Sequence, residues 1–110
     1  MMYKVHITRQ AEEDVNSIID YLLSQEALQT ARDLWSEFEK AFASLDKFPL
    51  RGHIPPELAE YPDKRIREVH ASVYRIVYRI SDKQVYILLV ADGRRDLQSI
   101  LVERALRITQ

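Results

Sequence analysis

The chain has no cysteine, so no disulfide or zinc–thiolate centre can form within it. Its only glycines are Gly52 and Gly93, which excludes a glycine-rich phosphate loop. No apolar run approaches the ~20 residues that span a bilayer. The opening Met1-Met2-Tyr3-Lys4-Val5-His6 lacks the apolar stretch of a secretion signal. A cytoplasmic location away from membranes is therefore the default expectation. All four prolines, Pro49, Pro55, Pro56 and Pro62, lie between residues 49 and 63. That stretch reads as a structured loop, and the rest of the chain is free for regular elements. What is present is 110 residues, 46% hydrophobic and 30% charged. This balance suits one globular domain, 1–110, with a single core.

The net charge of −1 conceals an asymmetry. Residues 1–63 hold 6 Lys+Arg against 12 Asp+Glu, and residues 64–110 hold 10 against 5. The second half is a candidate basic surface for an acidic protein or a nucleic acid.

Periodicity sets the elements. Tyr3, Val5 and Ile7 alternate with Lys4, His6 and Thr8, a strand with one buried face. Thr8 is a helix N-cap candidate. Ala11, Val15, Ile18, Ile19 and Leu22 follow helical spacing, with Glu12, Glu13 and Asp14 in the first turns, where the dipole favours them. The stripe breaks near Ser24 and Gln25. It resumes through Leu28, Ala31, Leu34, Trp35, Phe38, Phe42 and Leu45, which predicts an antiparallel helical hairpin lying on a sheet. Strands are expected near 65–70, 73–81 and 84–92, with a tight turn at Asp82-Lys83. Residues 85–91 are apolar on both faces and read as a central strand. Asp96 is positioned to cap a last helix through Arg107, carrying Leu97, Ile100, Leu101 and Ala105. The order β-α-α-β-β-β-α is an α+β domain: N-terminal strand, helical hairpin, three-stranded antiparallel meander, C-terminal helix.

His6, His53 and His70 fall on separate elements without ligand spacing, so no metal site is expected, and no cofactor is implied. The arginines carry the chemistry. Arg75 and Arg79 alternate with Val73 and Val77 on one strand, a rigid half-apolar mount for guanidinium groups. Arg65 and Arg67 alternate on the strand before, and Arg94 and Arg95 end the strand after. Guanidiniums on adjacent strands are expected to converge on one phosphate or carboxylate. The alternative is pairing with Glu68, Asp92 or Asp96.

Several motifs share one order along the chain. They are Tyr3-x-Val5-x-Ile7-Thr8-x-x-Ala11-x-x-Asp14-x-x-x-Ile18-x-x-Tyr21, Phe48-Pro49-x-x-Gly52, Ile66-Arg67-Glu68, Tyr74-Arg75-Ile76-x-Tyr78 and Gly93-Arg94-Arg95-Asp96-Leu97. As an ordered set they resemble the RelE/ParE toxin superfamily of bacterial type II toxin–antitoxin modules. A RelE-like member would be a ribosome-dependent mRNA interferase, and by that likeness Arg65, Arg67, Arg75 and Arg95 would be catalytic. The branch's C-terminal tyrosine would fall near Leu101, and no tyrosine follows Tyr86.

The ParE branch is the closer likeness, through the long hairpin and through Gly-Arg-Arg-Asp followed by a helix with Glu103-Arg104-Ala105-Leu106. It implies a toxin that inhibits DNA gyrase or another topoisomerase and makes or breaks no bond itself. Arg75, Arg94, Arg95 and Arg104 would then bind the target. A cognate antitoxin would neutralise the toxin in a hetero-oligomer, with an acidic segment expected on the basic half and on the strand at 85–91. A protein-binding module without toxicity is the second alternative, and direct nucleic-acid binding is left open.

Overall fold

A computed structural model describes residues 2–109, with side chains described as far as Arg104. The elements are β1 (Lys4–Ile7), α1 (Arg9–Ser24), α2 (Leu28–Ser44), a 3-10 turn (Pro56–Leu58), β2 (Ile66–Ala71), β3 (Tyr74–Ser81), β4 (Gln84–Asp92) and α3 (Gln98–Thr109). This is the expected α+β order. The 3-10 turn interrupts the stretch read as pure loop: Pro56 opens it, with its φ preset and no amide hydrogen to satisfy. Ala105, expected on the apolar stripe of α3, lies outside the described side chains, as do Leu106 and Arg107.

The sheet order is β1-β4-β3-β2. β2, β3 and β4 form the antiparallel meander, and β1 joins β4 in parallel. The sheet is thus mixed, as the long crossover from β1 to β4 permits. Thr8 caps α1 by accepting the Ala11 amide hydrogen, and its own hydroxyl donates to the Ile87 carbonyl at 2.7 Å. Both two-residue hairpin loops begin with a left-handed residue, Ser72 (φ 55°) and Asp82 (φ 54°).

The hairpin α1–α2 covers one face of the sheet. Ala11, Val15, Leu34, Phe38 and Leu45 pack there on Val69, Ile76, Tyr78, Val85, Ile87 and Val90. The 3-10 turn and α3 cover the other face, where Leu58, Leu97 and Leu101 meet Ile66, Val77, Leu88 and Leu89. β4 is therefore central and buried on both sides, as expected. A bulge opposite Val77/Tyr78 shifts its register, so the consecutive Leu88 and Leu89 both serve the α3 side.

β1 ends at the Ile7↔Ile87 register, and among the described residues no strand continues along that edge of β4. Side chains satisfy the edge instead. Asp14 Oδ2 accepts the Val90 amide hydrogen at 3.0 Å, and Arg104 Nη1 donates to the Leu88 carbonyl at 2.9 Å. Arg104 and Asp14 also pair with each other at 2.6 Å, which ties α3 to α1 around the edge.

Candidate functional site

An open basin of about 590 Å³ lies on the α3 side, between the 3-10 turn, the end of β2, the start of β3 and the turn after β4. Arg75 forms its floor and is only 5% exposed. Its Nε donates to Glu68 Oε1 at 2.7 Å, and Nη2 donates to Glu68 Oε2 at 3.3 Å. Nη1 and Nη2 grip Glu57 at 2.5 and 2.6 Å. The fifth bond runs from Nη1 to the Arg95 carbonyl at 3.3 Å. Five bonds match the five N–H groups of a guanidinium. Sequence order hides this arrangement, because Glu57 is 18 residues from Arg75 and sits on the proline-seeded turn.

Two carboxylates face one guanidinium, so the floor is not a cationic platform. The Arg75 hydrogen bonds hold the Glu57 carboxyl at about 2, against 4.5 for a free glutamate, while burial opposes that shift. Glu57 in turn raises the Arg75 value above its already high norm. His53 joins the cluster from the rim, its Nε2 3.1 Å from Glu68 Oε2. His53 and His70, expected apart, have ring centroids 5.7 Å apart. Among the described residues no group of three or more His, Asp or Glu is placed to hold a metal.

The loop behind the basin is pinned by Tyr78, which is fully buried. Its hydroxyl donates to the Pro49 carbonyl at 2.7 Å and accepts the Gly52 amide hydrogen at 3.1 Å. A Cβ on residue 52 would stand 2.6 Å from both the Glu68 carbonyl oxygen and the Tyr78 hydroxyl. Close approach, rather than an unusual φ, thus requires glycine here. The Phe48-Pro49-x-x-Gly52 motif and Tyr78 therefore form one structural unit.

Only Arg65 and Arg79 converge on one carboxylate, that of Asp63, while Arg67 and Arg75 each bind elsewhere. Arg79 is buried on the same face as Arg75, but it pairs with Asp63 at 3.1 Å. Arg65 precedes β2 and binds the same Asp63 at 3.0 Å. Burial pushes the Asp63 carboxyl up, yet hydrogen bonds from Arg65 and Arg79 prevail and hold it at about 2. Arg67 lies on the opposite face, opposite Tyr78, and its Nη1 donates to the Gly52 carbonyl at 2.8 Å. Strand alternation separates them: Arg67 and Arg75 sit at positions of opposite parity across the β2–β3 register. Arg65, Arg67, Arg75 and Arg79 each meet a local carboxylate or carbonyl before they could share an outside anion.

Arg94 and Arg95 are exposed on the turn that rims the basin. Arg94 folds back on Asp92 at 3.1 Å, with its side chain 92% exposed. Asp96 accepts the amide hydrogen of Gln98, the first residue of α3, as the cap reading expected. Leu101 is buried in the α3-side core, 1% exposed. The apolar strand at 85–91, expected to receive a partner, is unavailable, because every residue but Tyr86 is at most 5% exposed.

A sheet with a helical hairpin on one face and a C-terminal helix on the other also occurs in solved toxin–antitoxin proteins. A chain of the chromosomal ParDE TA system from P. aeruginosa is 19% identical, with a TM-score of 0.67 over 83% of this chain and 96% of that one. A chain of the RelBE2 toxin–antitoxin complex from Mycobacterium tuberculosis is 25% identical, with a TM-score of 0.57 over 84% of this chain and 92% of that one. No curated protein matches the chain. The family described as ParE toxin of type II toxin–antitoxin system, parDE, matches residues 5–97, and the chain belongs to it. Among the described residues no helix is long and apolar enough to cross a membrane.

Proposed function

We propose that this ParE-family toxin binds and arrests DNA gyrase or another topoisomerase, without cleaving RNA, and that a cognate antitoxin holds it inactive. The single observation that carries the reading is the state of Arg75. An arginine that stabilises a phosphate undergoing cleavage must have N–H groups free to follow the developing charge. Here all five are engaged by Glu57, Glu68 and a backbone carbonyl, and the local balance is acidic. Leu101 supports the same reading, since a buried leucine offers no proton and no stacking surface where the ribonuclease branch has its tyrosine.

Target contact then falls to Arg94 and Arg95, which are exposed on a turn with limited freedom. Arg75 holds the Arg95 carbonyl, and Glu57 accepts the Leu97 amide hydrogen at 3.4 Å. Arg104, paired inside with Asp14, acts by holding α3 in place. The likeness to chains of toxin–antitoxin systems supports the antitoxin partner.

Pulse labelling after induced expression in bacteria tests the proposal. DNA synthesis is expected to stop first while translation continues. A prompt fall in translation with cut messages, and continued DNA synthesis, sinks it.

A further inference from the structure

The loop after α2 is held more firmly than its own side chains require. The Phe48 amide donates to the Ser44 carbonyl at 3.1 Å, and the Arg51 amide donates to the Phe48 carbonyl at 3.2 Å. The Tyr78 hydroxyl and the obligatory Gly52 fix the loop from inside. Yet Phe48 and Leu50 are 61% and 65% exposed, and Lys47 and Arg51, which flank them in the chain, are exposed as well. The loop buries Pro49 and leaves a ring and a leucine in water. Its conformational entropy is already lost on folding, which lowers the cost of docking on it.

Arg51 is fixed in the same manner. Its Nε donates to Ser44 Oγ at 2.9 Å, and Ser44 in turn donates to the Ala41 carbonyl at 2.7 Å. Nη1 and Nη2 meet no protein acceptor among the described residues. Arg51 borders a hollow of about 330 Å³ between α2 and the end of β2. Lys40, one turn before Ser44, lines the same hollow and has no ion pair among the described residues. His70 and Ser72 line it from the sheet, and Glu37 stands on its lip. Two unneutralised cations thus face one carboxylate. The Arg75 floor is the reverse, with two carboxylates closed on one guanidinium.

We infer that this surface binds single-stranded nucleic acid, with one phosphodiester in the hollow between Arg51 and Lys40 and the neighbouring base on Phe48. A guanidinium held at Nε presents its remaining donors as a fork that matches two phosphate oxygens. Phe48 and Arg51 close one hydrogen-bonded turn, so the ring stands within the length of a nucleotide from that fork. An exposed ring takes the face of any unstacked base, and a duplex keeps its bases stacked on one another. An acidic peptide would satisfy the cations and leave the ring without a flat partner. The surface uses neither Arg75 nor Arg94 and Arg95, so it is separate from the proposed target contact.

The intact chain is titrated into end-labelled single strands of about 12 nucleotides, in deoxy and ribo forms, with fluorescence anisotropy as the readout. Binding of either form supports the inference, and their direct comparison shows which source the site takes. At about 50 mM salt the single strand is expected to bind about tenfold more tightly than the duplex of the same sequence. Arg51→Ala and Lys40→Ala should each lower the slope of log K against log salt by about 0.7, the share of one phosphate contact on a single strand. Phe48→Ala should weaken binding about tenfold and leave that slope unchanged. Glu37→Gln should tighten binding about two- to fivefold. All four side chains are at the surface, and circular dichroism checks that the variants stay folded. No anisotropy change with either strand overturns the inference. So does a duplex that binds as tightly as the single strand, or an Arg51→Ala slope equal to the parent's. Displacement of the strand by an equal concentration of oligoglutamate also overturns it, and assigns the surface to an acidic protein segment. No toxicity is read, so the result stands apart from the arrest of DNA synthesis.

Discussion

On the hairpin side of the sheet, Val15, Leu34, Phe38, Ile76 and Ile87 form an apolar layer. On the α3 side, Leu58, Val77, Leu89 and Leu101 share their layer with Arg75, Arg79 and Glu68, all three buried. The first side leaves an apolar seam open to solvent, while the second closes its charges on one another. A count of charge along the chain points to the basic half as the binding surface. The difference between the two sides teaches that a charge count is not a count of available charge: cations that are buried and paired have little left to offer a partner, whereas Leu28 and Trp35, exposed and apolar, lie on the acidic hairpin.

Removing the guanidinium from the α3 side should break the comparison most severely. Arg75→Ala leaves Glu57 and Glu68 buried without their cation, and it should cost about 3–5 kcal/mol in chemical denaturation. A variant that also carries Glu57→Gln and Glu68→Gln should regain much of that loss. A cost below about 1 kcal/mol for Arg75→Ala would show that the network is not what holds this side.

Acid should separate the two faces. The folded Glu57 value, about 2, lies below the unfolded 4.5, so its contribution is complete above about pH 4.5 and is lost as pH falls toward 2. Asp63 acts in the same direction, from 3.8 to about 2. The loss from Glu57 is on the order of 3 kcal/mol. Amide exchange between pH 4.5 and 2.5 should therefore rise first at Leu97 and Leu101 and later at Val15 and Phe38. Uniform acceleration on both faces would contradict this.

Gly52→Ala is a smaller perturbation. The new methyl meets backbone at Glu68 as well as the Tyr78 hydroxyl, and the loop must shift at a cost of roughly 1–3 kcal/mol. Thermal melting measures it, and an unchanged midpoint argues against the close approach. Arg94→Ala should change stability least, within about 0.5 kcal/mol, because the Asp92 pair is exposed. The same variant should nevertheless lose toxicity at equal expression. Full toxicity would move the target contact away from this turn.

The elements were readable because their signals are short-range. Thr8 caps α1 from three residues away, and Asp82 opens the turn where Asp82-Lys83 stood out. The double-sided apolar run of β4 marked it as central before any pairing was known. The site was less readable. Glu68 was visible as a possible arginine partner, but Glu57 was not, since nothing in Pro55-Pro56-Glu57 announces which strand it will meet. Arg104 read as a surface contact because the edge it covers exists only once β1 stops short of β4's end.

Sequence alone determined the periods, the breaks and the membership of residues in faces, because those follow from 3.6- and 2-residue geometry. It also determined the family, through motifs that fall in order along the chain. Tertiary structure decided which charges remain available. Ion pairs form between side-chain ends only a few ångströms apart, so the state of Arg75 depends on two carboxylates that chain order places 18 and 7 residues away. Tertiary structure also decided that Leu28 and Trp35 stay bare. Periodicity shows that a helix has an apolar arc, but only the packed layers show how much of that arc the protein itself covers.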